Sequence, residues 1–129
     1  MKFALWTVLT LWTLSTSAAA DPILGLYETG PGDQGGYAHV EIYRCDTEIC
    51  GVIRKTFDGT GRQVDSEEVG KRMIWGMRPV GEGKYARGKI WAPDRDRTYG
   101  ARMELTGTTL KVSGCILGIC RGQSWNRLE

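Results

Sequence analysis

Cys45-Asp46-Thr47-Glu48-Ile49-Cys50 and Cys115-Ile116-Leu117-Gly118-Ile119-Cys120 form two matching brackets, each holding four residues between its cysteines. Short segments of alternating apolar and polar residues flank both. Residues five apart across such a loop face each other at the end of a hairpin, within the Cα separation that a disulfide tolerates. The spacing predicts two β-hairpins closed locally by Cys45–Cys50 and Cys115–Cys120. Four cysteines allow three pairings, and a zinc site is the competing use of such residues. Tetrahedral zinc prefers closer pairs of the C-x2-C kind, which favours disulfides. By loop entropy each short bridge contributes on the order of 2 kcal/mol.

The same two-residue period continues outward from the brackets, and no segment carries a sustained helical stripe. Candidate strands are Ile23–Glu28, Tyr37–Cys45, Ile49–Arg54, Arg72–Arg78, Tyr85–Ala92, Tyr99–Leu105, Thr109–Gly114 and Gln123–Leu128. Gly30-Pro31-Gly32-Asp33, Gly81-Glu82-Gly83, Pro93-Asp94 and Thr106-Gly107 supply turn residues between them. Thr56–Lys71 is too long for a hairpin. In it Asp65 suits a helix cap, with Glu68 three residues on and Gly70 as a stop, so one short helical turn is expected. Eight short antiparallel strands must protect two sheet edges. Rolling into an up-and-down barrel removes both and leaves an interior for side chains or one small ligand. An open sandwich is the alternative. The expected fold is an all-β, eight-stranded antiparallel barrel.

Upstream of the barrel, Lys2, the apolar run Phe3–Leu14 and the small residues Ser15–Ala20 read as a secretory signal peptide. Ala18-Ala19-Ala20 fits an A-x-A cleavage site, so residues 1–20 are expected to leave and residues 21–129 to form one barrel domain. The alternative is a retained anchor, but Phe3–Leu14 is shorter than the roughly 20 apolar residues that span a bilayer. Export to the periplasm or beyond also suits an even number of cysteines. The chain has 17 Lys and Arg against 15 Asp and Glu, with signs interleaved as in Asp94-Arg95-Asp96-Arg97. That pattern carries no electrostatic footprint for nucleic acid, and no stable membrane insertion is expected after cleavage.

The more apolar parity sends Tyr27, Val40, Ile42, Ile53, Met73, Trp75 and Met77 inward. Ile90, Tyr99, Met103, Leu105, Leu110, Val112 and Trp125 follow, with the small residues Gly25, Ala38, Gly51, Ala86, Gly88 and Ala101 on the same face. Large beside small either lines a cavity or interlocks into a solid interior, the default for small barrels. The candidate ligand wall is Tyr27, Trp75, Met77, Tyr99, Met103 and Trp125. Arg127 lies two residues beyond Trp125, hence on the same face. First and last strands must pair, so Arg127 is placed to cover Tyr27 or Trp125 through a cation–π contact worth about 0.5–2 kcal/mol; a frayed, exposed arginine is the other possibility.

Gly25-Leu26-Tyr27 at the start with Arg127 at the end resembles the lipocalin-type closure, in which an early Trp is covered by a late Arg. Here Tyr27 takes the Trp position. The order Asp21–Tyr27, Val40–Cys45, Cys50-Gly51, Gly88–Asp94, Thr98-Tyr99 and Trp125-Asn126-Arg127 is similar to the small exported bacterial proteins of domain of unknown function 2147. The resemblance spans nearly the whole of residues 21–129. It implies a lipocalin-like barrel in the periplasm or outside the cell, with no reaction and no catalytic residues to carry over. The Cys115–Cys120 bracket is not general in that family, so its pairing rests on spacing.

Catalytic machinery is not legible. His39 is the one histidine and its parity points outward beside Glu41, with no motif placing a nucleophile against it. Asp94-x-Asp96 lacks the later ligands of a calcium loop, and Asp58-Gly59-Thr60-Gly61 lacks the lysine of a phosphate loop. No catalytic residue, metal or cofactor is expected. The sequence supports a binding protein for a small apolar or amphipathic ligand. The alternative is a cell-envelope interaction module with a packed interior, presenting Thr56–Lys71, Tyr37, Tyr43 and Trp91.

Overall fold

In a computed structural model that describes residues 2–4, 8–14 and 21–129, the chain after Asp21 is all strand and turn. The strands are β1 (Gly25–Glu28), β2 (Tyr37–Cys45), β3 (Glu48–Phe57), β4 (Gln63–Val64), β5 (Arg72–Gly81), β6 (Lys84–Ala92), β7 (Arg97–Thr106), β8 (Thr109–Ile116) and β9 (Ile119–Arg127). All pairs are antiparallel. Neighbours in sequence pair from β5 to β9, β3 pairs with β5 and β2, and β1 joins β2 to β9. Eight strands thus close into a barrel, and the two-residue β4 hooks onto β3 inside the long connection.

Both disulfides form as the spacing predicts, with Cα separations of 5.8 Å for Cys45–Cys50 and 4.0 Å for Cys115–Cys120. They brace opposite ends. The turns after β2, β5 and β7 lie with Asp21–Leu24 at one end. The loops after β1, β3, β6 and β8 surround the other. The expected cleavage site at Ala18–Ala20 lies outside the described residues. Among the described residues no helix is long and apolar enough to cross a membrane.

The helical turn expected after Asp65 does not form. Gly70 donates its N–H to the Ile53 carbonyl at 2.7 Å, and Ile53 donates back to Lys71 at 3.0 Å. Those backbone groups extend the sheet onto β3 and are lost to any helical ladder. Ser66, not Asp65, makes the local cap, its Oγ accepting from the Glu68 N–H at 3.1 Å.

Strict alternation also fails in β5 and β6. Trp75 was expected inside with Met73 and Met77; instead Ile74 and Met77 are buried, Met73 is half-buried, and Trp75 lies half-buried opposite Lys89 on the outer wall. Gly76 causes this, since its φ of +69° inserts a bulge that re-aims the next side chain. Across the pair, Arg87 at φ +68° does the same, so Tyr85 is buried where Ala86 was expected. The register shift between Tyr85 and Gly88 against β7 records that bulge. In β3 both parities are covered: Ile49, Cys50, Val52 and Ile53 are all buried.

The core is one cluster from Ile23 and Tyr27 through Ile42, Ile74, Met77 and Met103 to Leu110 and Trp125. Full burial of such side chains is worth about 1.5–3 kcal/mol each.

Candidate functional site

Asp21–Leu24 crosses one end of the barrel and seals it. Ile23 is fully buried there, and its carbonyl accepts from the Tyr27 hydroxyl at 2.9 Å. Arg127 stacks its guanidinium 5.6 Å from the Tyr27 ring centroid and donates to the Pro22 carbonyl at 2.8 Å and to the Leu24 carbonyl. The predicted closure therefore exists, with tyrosine serving where tryptophan is usual. Tyr85, from the turn side of β6, donates its hydroxyl to the Asp21 carboxylate, which also accepts the Ile23 N–H at 3.1 Å and lies 3.8 Å from Arg44. Burial above all raises both phenols beyond the ordinary tyrosine range; the Asp21 carboxylate raises Tyr85 further, while Arg127 partly offsets the effect on Tyr27.

Packing is solid only over this sealed half. Toward the other rim the barrel opens into a cup of about 960 Å³. Trp125, 1% exposed, forms its base, with Tyr99, Ile90, Val112, Ile53 and Met73 on the walls. Trp125 Nε1 donates to Gln123 Oε1 at 2.7 Å, and Gln123 Nε2 donates to the Pro31 carbonyl at 3.1 Å. Thr56, the one buried polar residue among those described, satisfies its hydroxyl on the Val64 carbonyl at 2.8 Å.

Gly30–Gly36, between β1 and β2, reaches across the mouth to the β6–β7 turn. Arg95 donates to both oxygens of Asp33, at 3.1 and 3.2 Å, and the Asp33 N–H donates to Asp94 Oδ2 at 3.2 Å. The hydrogen bond from Arg95 holds the Asp33 carboxyl below the usual aspartate range, and Asp33 with Tyr99 raises Arg95 in return. Arg97 and Arg121 also line the mouth, as do Asp65 and Glu68 on the far side.

Of the six residues expected in the ligand wall, with Arg127 beside them, Tyr99 and Trp125 line the cup. Tyr27, Met77 and Met103 belong to the packed half beneath it, and Arg127 belongs to the seal. Trp75 faces away on the outer wall. Gln123, Thr56 and the arginines of the rim were missed because apolar alternation marks what is buried, not which polar positions topology gathers at a mouth. At the rim Tyr37 stacks on Phe57 at 4.8 Å, and Trp91 donates to Asp96 at 2.9 Å beneath Lys71. His39 is an outer-face residue bonded to Glu28 at 3.2 Å and tilted against Phe57.

A closed eight-stranded antiparallel barrel, plugged at one end and hollow at the other, is lipocalin-like. Residues 25–127 match the family described as uncharacterized protein conserved in bacteria (DUF2147), and the chain belongs to that family. A solved protein from the human pathogen Helicobacter pylori, described as belonging to the lipocalin family, superposes with a TM-score of 0.69. The match covers 85% of each chain at 16% sequence identity. No curated protein matches the chain.

Proposed function

We propose that this protein is an exported, periplasmic binding protein that carries a small apolar or amphipathic molecule and catalyses no reaction. The observation that supports it is the cup: about 960 Å³ with a tryptophan base and aromatic and aliphatic walls, within the range of small-molecule sites. Two local disulfides and the leader-like Lys2–Ala20 favour an oxidising compartment. The apolar part of the ligand rests on Trp125 and Tyr99, and a polar end reaches the rim.

Titration with long-chain fatty acids and uncharged lipids tests this through tryptophan fluorescence. Saturable change is expected. Ala38→Trp, at the cup wall near the mouth, should abolish it with the thermal transition kept. Equal binding by that blocked variant, or a flat response over the whole ligand panel, rejects a carrier role.

A further inference from the structure

Cys115 and Cys120 face out of the barrel, while the residues on either side of each face in. Gly114, Ile116, Ile119 and Arg121 line the cup, and a strand alternates its faces, so the bridge lies on the outer wall. Its neighbour on β7 is Gly100, and the next outward pair along the hairpin is Ser113 and Gly122. None of these three has a side chain long enough to cover the sulfurs, and Cys120 is exposed. The other bridge differs. Cys50 and its neighbour Ile49 are each 1% exposed.

The outer bridge also ties down a free edge. β9 pairs with β8 from Ile119 to Asn126, but β1 meets it only at Asn126 and Arg127. Among the described residues, Ile119–Ser124 has no strand on its other side. Packing gives the tip little hold, since Ile116, Leu117 and Ile119 are 52%, 96% and 69% exposed. Leu117, at φ +50°, occupies a left-handed turn position that strains a bulky L residue. Further along, Gln123 accepts from Trp125 and donates to Pro31, which anchors β9 from that point onward. The disulfide therefore holds four residues, Ile119–Gly122, that neither packing nor a second strand secures.

We infer that Cys115–Cys120 is a thiol-exchange site for a dithiol reductant, and that breaking it lets Ile119–Gly122 peel from β8 and open the side of the cup. Exchange requires access to a sulfur, so exposed bridges are the labile ones. A thiolate of the dithiol attacks Cys120 Sγ, and the electron pair of the S–S bond passes to Cys115, which takes up a proton. The second thiol, as thiolate, then attacks the mixed disulfide. Cys120 leaves as a thiolate and is protonated, and the dithiol becomes an internal disulfide. Two electrons and two protons have passed to the protein. Peeling releases Leu117 from its strained turn, which favours the open form. Ile119 and Arg121 line the cup, so their departure removes part of its wall. What this does to a bound molecule rests on the carrier reading; the exchange and the peeling do not.

Timed reduction of the native protein with dithiothreitol tests it, using material recovered from the exported fraction of an expressing bacterium. Iodoacetamide traps free thiols at each time, and peptide mass spectrometry assigns them. Cys115 and Cys120 should be alkylated at least about tenfold faster than Cys45 and Cys50. In protein reduced only at the outer bridge, amide exchange at Ile119–Gly122 should rise at least about tenfold, with Tyr27, Ile42 and Met103 as protected as before. Cys115→Ser with Cys120→Ser should show the same pattern without reductant. Reduction of both bridges at one rate, or of Cys45–Cys50 first, overturns the exchange site. Unchanged protection at Ile119–Gly122 in both the reduced protein and the serine variant overturns the opening. Fatty-acid titration of the oxidised protein judges the carrier reading separately, because neither alkylation nor amide exchange depends on a ligand.

Discussion

Gly88 faces the core from β6, and a methyl group on it would run into Met77 Sδ and the Trp75 carbonyl. One of those obstacles is backbone, so the neighbour cannot swing aside. Gly88→Ala should therefore destabilise by about 1–3 kcal/mol, the usual range for overpacking, measured as a shift of the urea midpoint with unchanged slope. Tyr85 gives a pH signature. Its phenol is raised, above all by burial, and it donates to Asp21. A group raised in the folded state stabilises fully below its unfolded value, near 10 for tyrosine, and loses that contribution as pH climbs through the folded value. Stability should stay level up to about pH 10 and then fall. Tyr85→Phe should cost about 1.5 kcal/mol at neutral pH and flatten the alkaline fall. An alkaline limb unchanged in that variant would assign the titration to other tyrosines.

At the level of elements, the β1–β2 loop is a strap over the mouth, tied by Asp33 and Arg95 across the barrel. Because Arg95 depresses the Asp33 carboxyl, the tie is intact above the ordinary aspartate range and is lost as pH falls through the lowered value. Asp33→Asn should speed amide exchange at Gly32 and Gly35, whose N–H groups bond within the loop, and leave the barrel strands as protected as before. Hydrogen exchange resolved by residue reads both. The two staples should differ in effect. Cys50 is buried against the core, whereas Cys120 is exposed at the rim. Replacing Cys45 and Cys50 by alanine should cost about 2 kcal/mol in loop entropy plus lost packing. Replacing Cys115 and Cys120 should cost the entropy alone, and thermal denaturation of the two pairs separates them.

For the whole molecule, closure rests on a narrow seam. β1 and β9 share only the Tyr27–Arg127 and Glu28–Asn126 register pairs, extended by Leu26 bonding to Leu128 and Glu129. Arg127 reinforces that seam by covering Tyr27 and holding two carbonyls of the sealing segment. Arg127→Ala should lower stability by about 2 kcal/mol and raise exchange at Leu26 and Leu128 before the other strands; uniform loss of protection would show that the seam is not the weak point. Much of this architecture is legible in the residues alone. The brackets at 45–50 and 115–120, the period of two and the Tyr27–Arg127 closure are local or terminal patterns. The first two depend on chain geometry that hardly changes with context, so fold class and staples follow from the residue order, whereas the Tyr27–Arg127 contact joins the two ends of the barrel sequence and is decided only when the ring closes. Alternation broke at Gly76 and Arg87, where bulges were invisible because a single residue with positive φ shifts parity without changing composition. That shift moved Trp75 outside and Tyr85 inside. The cup was likewise beyond reach. Its wall joins residues from the β1–β2 loop, β3, β7 and β9, and only the closed ring brings Pro31, Thr56, Tyr99 and Gln123 around one space. Local geometry is written along the chain, whereas a cavity is set by how much of the enclosed volume the side chains fill after the strands have met.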